Sequence, residues 1–363
     1  MSSRSIQEAS GPTIGDVGGR SVVLAYGSVS AEYEALHNRA AVFDRSHRGR
    51  LRLKGPRAAE MVTGLVTNDV TALAPGQGCY AAALTAKGKI VADLRVFVEE
   101  ESVLVDAPPR AAAAWAAMVR KFVNPRISPH EDESTSLRDI GIFGATARHV
   151  VSELTGVPAP ALTALAPYSH MSVEIDGTPV RIAKVPELEL EGFELLVPTD
   201  AFTTLWAAAV ASGATPAGLE AWDIARVEAG RPEWGVDMDD NTIPQEANFD
   251  ALHAISYTKG CYVGQETVAR VHFRGHVNKH LRGVRAAGVE VIHSGATLHD
   301  ESGTQVGDVR SAVRSPRLGA IALAMIRREV EPGAALIARS AGEGEDAAPI
   351  DRRVDVAALP FSV

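Results

Sequence analysis

The chain changes character once, near residues 275–282, and that change limits the folds open to it. Before it, extended and helical runs alternate. After it only short strand-like runs remain, LRGVRA, ATLHD, TQVGDVRS, LGAIALAMI and ALIARS, separated by Gly, Pro and Ser. Brief strands punctuated by turn residues are the pattern of a small barrel or sandwich. The expectation is a C-terminal antiparallel β-barrel over 278–363, with the acidic stretch 342–348 as an exposed loop.

The region before the change repeats one order of elements. Arg50–Lys54 alternates as a strand, Gly55-Pro56 breaks it, and a helix follows over Arg57–Leu65. Cys79–Leu84 and Ile90–Val98 flank the turn Lys87-Gly88-Lys89, and Val103–Asp106 reads as another strand. Arg110–Val123 is an Ala-rich helix with Trp115, Met118, Val119 and Phe122 on its core face. A second cycle runs through a strand at Leu137–Phe143, a helix at Ala145–Leu154, a hairpin at Asp176-Gly177 and a strand at Phe193–Val197. The helices Asp200–Ser212 and Leu219–Ala229 close it. This grammar fits an α+β fold better than a doubly wound parallel sheet. The expected division is a loose Gly- and Ser-rich tail over 1–20, then one region over 21–277 made of subdomains at about 21–135 and 136–277.

Composition narrows the function classes. The 363 residues carry a net charge of −9, a poor default for bulk nucleic acid. Two cysteines, Cys79 and Cys261, make neither a disulfide framework nor a metal motif. No apolar run reaches the roughly 20 residues needed to span a bilayer, and the N-terminal residues lack a signal-peptide core. A reduced, cytoplasmic setting without a membrane is the expectation.

The most informative segment is Tyr257-Thr258-Lys259-Gly260-Cys261-Tyr262-Val263-Gly264-Gln265-Glu266-Thr267-Val268-Ala269-Arg270. Gly260 and Gly264 permit tight backbone geometry around the thiol. A helix beginning at Gln265 would place Cys261 just ahead of its N-terminus. The partial positive charge there, with Lys259 nearby, favours a thiolate. A free cysteine is also commonly a small, inert, buried residue. Local features leave both readings open.

The run K-G-C-[FY]-x-G-Q-E, filled here by Lys259, Gly260, Cys261, Tyr262, Gly264, Gln265 and Glu266, resembles the signature of the YgfZ family within the glycine cleavage T-protein (aminomethyltransferase) superfamily. Asp44-Arg45-Ser46-His47-Arg48-Gly49 and Thr67-Asn68-Asp69 are similar to segments of the wider superfamily, as are Gly192–Leu195 and Arg226–Gly230. The resemblance implies two folate-binding α+β subdomains around a central pocket, with tetrahydrofolate or a derivative as cofactor. It assigns chemistry to Cys261 and Lys259, and ligand contacts to Glu194, Arg226, Gly260, Tyr262, Gln265 and Glu266. A carboxylate at Glu194 would accept from the pterin's N–H edge, and the Arg226 guanidinium would hold a carboxylate. The plain alternatives are a solvated strand residue at Glu194 and an intrahelical Asp223 partner at Arg226.

T-proteins usually carry an Asn-Ala pair and then an acid after the strand that here ends at Val105. This sequence reads Asp106-Ala107-Pro108-Pro109, with no clear counterpart to the acid and with Asp106 as a simple strand end. The function so implied is YgfZ-like support of iron–sulfur cluster assembly or repair, including clusters of tRNA-thiolating enzymes, with client or assembly proteins as partners. The alternatives are a folate-dependent aminomethyltransferase and a protein that keeps the fold without the ligand. His272, His276 and His280 recur every four residues, but Gly275 interrupts the helix and no metal site is expected.

Overall fold

The computed structural model describes residues 11–286, 291–342 and 348–362. Most of the 342–348 loop therefore lies outside the described residues. The first sheet has five antiparallel strands in the order Gly78–Leu84, Ile90–Val98, Ser102–Ala107, Gly49–Lys54 and His130–Asp132. The period of two in Gly78–Leu84 sorts its side chains. Ala81 and Ala83 join a core under the helices Ala58–Thr63 and Pro109–Phe122, while Tyr80, Ala82 and Leu84 join the core shared with the second sheet. Trp115 and Met118 are buried as expected, but Phe122, at the last turn of its helix, is 50% exposed.

The second sheet runs His170–Ile175, Thr178–Lys184, Gly192–Pro198, Leu137–Phe143, Ala41–Asp44 and Thr215–Pro216. Ala41–Asp44 lies in the expected first subdomain, 21–135, yet pairs antiparallel with Leu137–Phe143. A division of strands at 135/136 therefore does not hold. The segment is apolar on both sides and finds its hydrogen-bond partners in the other sheet.

Residues 11–20 are not a loose tail. Thr13–Val17 pairs with Arg20–Ala25 through a turn at Gly18-Gly19, both at positive φ, and Gly19 N–H donates to Asp16 Oδ1. These two glycines supply the positive-φ backbone that a two-residue hairpin turn demands.

From Lys279 the chain forms a closed, wholly antiparallel six-stranded barrel. It docks on the helix Leu219–Glu228, eight of whose ten residues are buried. A helix buried on nearly all sides has no broad solvent face. This one lies between the barrel and the central core, with Val227 against Leu281, Ile321 and Phe361, and Trp222 among Phe43 and Phe143. No described helix is long and apolar enough to cross a membrane.

Candidate functional site

A cavity of about 240 Å³ opens where the first sheet, the turn at 45–48, the helix Leu219–Glu228 and the barrel meet. Arg45, Arg48, Asp93, Glu187, Trp222 and Arg226 line it. Asp93 projects from the strand Ile90–Val98 and is buried. Its Oδ2 accepts from the Tyr80 hydroxyl at 2.8 Å, and its Oδ1 has no hydrogen-bond partner. Burial pushes the Asp93 carboxyl above its ordinary value, against the pull of Arg48.

Behind the cavity wall lies a buried ion network. The Arg95 guanidinium grips both oxygens of Glu187 and also bonds Glu194. Burial would raise Glu187, but Arg95, Arg231 and Arg48 outweigh it and hold the carboxyl well below the carboxylate range. Asp106 is no simple strand end. It is 1% exposed and takes Arg48 Nε in a direct hydrogen bond, with Arg50 and Arg95 within ion-pair range. Those three arginines overcome burial and keep its carboxyl low. His47 also lines the cavity. Burial, and then Arg45, Arg48 and Arg50, press its imidazole well below the usual histidine value.

The residues singled out from the sequence separate into two places. Arg226 lines the cavity, but most of its donors are spent. Nε reaches Asp223 at 3.1 Å, the intrahelical contact weighed above, Nη1 reaches Asp237 at 2.6 Å and the Arg231 carbonyl at 3.0 Å, and Nη2 reaches Ser311 at 2.9 Å. It chiefly ties the helix to the segment that follows it, with one bond to the barrel at Ser311. Glu194 is buried behind the wall as a partner of Arg95 and Arg45, and is absent from the lining.

None of residues 259–266 lines the cavity. They form a separate loop and helix start held against residues 63–68 and the end of the edge strand Gly78–Leu84. Lys259 Nζ donates to the carbonyls of Thr63, Val66 and Asn68 at 2.6, 2.7 and 2.8 Å, and burial lowers it to about 8. Its ammonium lies 4.7 Å from the centre of the buried Tyr262 ring. Gly264 is required: its φ is +83°, and a Cβ there would lie 2.5 Å from the Thr85 carbonyl oxygen. Gly260 faces open space, Gln265 begins the helix Gln265–Arg274, and the exposed Glu266 pairs with Arg270. Cys261 is exposed at the crest of this loop. The other thiol, Cys79, is pushed up to about 12 by burial, although Lys259 opposes this. His272 stacks on Tyr257 at 3.6 Å, and no metal-holding group of side chains occurs among the described residues.

Sequence reasoning missed Asp93, Glu187, Arg45 and Arg48. A signal existed for the first. Asp93 and Arg95 stand two apart in an otherwise apolar strand, so both point to one face, and an inward charged pair in a core strand marks a polar interior.

Comparison with known proteins fits this architecture. Residues 4–256 match the GCVT N-terminal domain, and residues 279–354 match the glycine cleavage T-protein C-terminal barrel domain. An aminomethyltransferase of Thermosynechococcus vestitus is 32% identical over 84% of this chain and 81% of its own length. That of Saccharopolyspora erythraea is 31% identical over 98% of this chain and 96% of its own. The crystal structure of the glycine cleavage system aminomethyltransferase T from Bartonella henselae superposes with a TM-score of 0.86 at 22% identity, covering 97% of this chain and 95% of the other, a likeness of fold. With both of its domains matched in order and by homologues spanning most of its length, the chain belongs to the glycine cleavage T-protein superfamily.

Proposed function

We propose that the central cavity binds a reduced folate and that the protein handles one-carbon units as an aminomethyltransferase, with Asp93 as the proton-carrying residue. The observation that carries this is the unpartnered Oδ1 of Asp93. A buried carboxyl oxygen without a partner costs about 1–3 kcal/mol, and a ligand N–H aimed at it removes that cost. The cavity is smaller than the roughly 300 Å³ at which ordinary ligand sites begin, so it suits the pterin head, with the rest of the molecule leaving by the mouth. Trp222, Leu219 and Val313 supply apolar walls for a flat ring.

A bound reduced folate supplies the nitrogens that accept the one-carbon unit. The chain's own residues orient and protonate. Tyr80 fixes the Asp93 carboxyl through Oδ2, burial raises its proton affinity, and the free Oδ1 is the atom that takes up and returns a proton. Glu187, gripped by Arg95, keeps a fixed negative charge at the wall. Asp93→Asn keeps the shape and removes the titrating proton. Retained binding of 5-formyl-tetrahydrofolate with loss of aminomethyl transfer from a carrier protein supports the assignment. Wild type that neither binds the folate nor transfers the group defeats it.

A second reading is favoured by the exposed Cys261 thiol, held away from the cavity on a loop whose lysine makes three backbone hydrogen bonds. Here the protein would be a YgfZ-type factor supporting iron–sulfur cluster assembly or repair in partner enzymes, with the thiol meeting the partner. Clusters typically take four thiolates, so one cysteine would act only in company. Complementation of a cluster-maintenance defect by wild type but not by Cys261→Ala tests it.

A further inference from the structure

The turn at residues 45–48 brings two arginines to the cavity with donors left over. The Arg48 amide donates to the Arg45 carbonyl at 3.3 Å and closes the turn, and both side chains line the cavity. Their side chains are only 6% and 9% exposed. The Arg45 guanidinium makes no hydrogen bond among the described residues. Its carboxylate neighbours stand off, Glu194 at 3.7 Å and Glu187 at 3.8 Å, and its Nε is buried without a partner. It rests on the Trp222 ring, 3.7 Å from the centroid. Arg48 commits Nε to Asp106, and no bond from its two terminal nitrogens to a described residue is found.

Of the other guanidiniums at the cavity, Arg226 has four hydrogen bonds, Arg231 has one, to the Tyr168 hydroxyl, and lies over the Tyr80 ring, and Arg110 pairs with Glu233 nearer solvent. Arg45 alone among the cavity guanidiniums makes no hydrogen bond to a described residue. Burying a guanidinium with most of its five N–H groups unused is costly. Burial lowers the Arg45 guanidinium first, Glu194 opposes this, and the like charges of Arg95 and Arg48 add to the lowering, whereas Asp106, Glu187 and Asp93 hold Arg48 above its ordinary value against burial and Arg95. A planar anion between Arg45 and Arg48 would satisfy donors on both and relieve the repulsion.

We infer that Arg45 and Arg48 form a buried carboxylate subsite in the cavity wall, on the same cavity as Asp93. The inference rests on the folate reading only for what shares the cavity, and it adds the class of group taken beside it. That group is a carboxylate, from either of two sources: the glutamate tail of the folate, or a separate small carboxylic acid such as the amine co-substrate. A planar, bidentate acceptor matches the guanidinium fork better than a spherical anion does.

The test uses the full-length protein and reads thermal protection and calorimetric binding with three probes: acetate, glycine and 5-formyl-tetrahydrofolate with or without its glutamate. The expected result is protection by a small carboxylate, weakened at least tenfold by Arg48→Gln and by Arg45→Lys, with chloride at equal ionic strength inactive. A tenfold loss confined to folate carrying its glutamate identifies the tail as the occupant and equally supports the subsite. Arg45→Lys keeps the charge opposite Glu194 and Glu187, and circular dichroism confirms the fold of each variant. If neither acetate, glycine nor the folate glutamate contributes to binding in folded wild type, or if both variants bind all probes as wild type does, the subsite is wrong. Carboxylate binding in a protein that binds no pterin would overturn the folate reading and leave the subsite standing.

Discussion

Tyr80 and Asp93 face one another from adjacent strands of the first sheet, joined by a 2.8 Å hydrogen bond that spends one carboxyl oxygen and leaves the other bare. The hydroxyl sets the carboxyl's orientation. Tyr80→Phe removes that fixed donor while keeping the ring against Tyr168 and Phe249. The expected result is a fall of about tenfold in one-carbon transfer with folate affinity changed less, because the carboxyl is still present but poorly aimed. Single-turnover rates alongside a folate titration check it.

Cys261→Ser should leave folate affinity within about twofold of wild type, because the loop it crowns does not line the cavity. Its stability should change by less than about 0.5 kcal/mol, the usual range for an exposed substitution. Folate titration and urea denaturation measure both.

Lys259 is a different case. Lys259→Met strips donors from three carbonyls at once, two of them in partly buried surroundings and one buried. Unsatisfied buried acceptors cost about 1–3 kcal/mol each, so a loss of about 3 kcal/mol is expected, read from the urea midpoint. Loop opening should also speed alkylation of Cys79, whose thiol is otherwise kept protonated by burial.

Glu194→Ala should destabilise by about 3 kcal/mol. It leaves Arg95, 0% exposed, with Glu187 alone at hydrogen-bond range, and breaking a buried pair from one side leaves charge uncompensated. Thermal or urea unfolding measures it. Any fall in folate affinity should track lost stability, since Glu194 is absent from the cavity lining.

His47 gives a pH signature. Its folded pKa is depressed, first by burial and then by Arg45, Arg48 and Arg50. Above about pH 6.5 the unfolded chain also holds this histidine neutral, so it contributes nothing to the pH dependence. Below that the unfolded state takes up a proton the native state refuses, and stability falls by up to about 1.4 kcal/mol per pH unit. His47→Gln should flatten the difference between pH 7 and pH 5.5. Paired urea melts of wild type and variant isolate this group from the other histidines.

Much of the secondary structure was legible because local chemistry decides it. Leu137–Phe143 reads as a strand and is one over the same residues, and Asp176-Gly177 turns a hairpin with both residues at positive φ. The switch to short strands after residue 278 gave the barrel, which starts at Lys279. Motif residues also pointed to the glycine cleavage T-protein superfamily, and two of them have local structural roles, Lys259 on three carbonyls and Gly264 at a positive φ.

The sequence by itself determined most of the elements, the superfamily and a cysteine loop, since each depends on residues within a few positions of one another. Only the tertiary structure decided where the site lies. Asp93, Glu187 and the arginines of the 45–48 turn are far apart in the chain, and burial around one cavity gives them their charges and their unpaired atoms. The same packing moved Glu194 behind the wall, spent Arg226 on structural hydrogen bonds and carried Cys261 to the surface, because a side chain's chemistry follows from which face of its sheet or helix is enclosed.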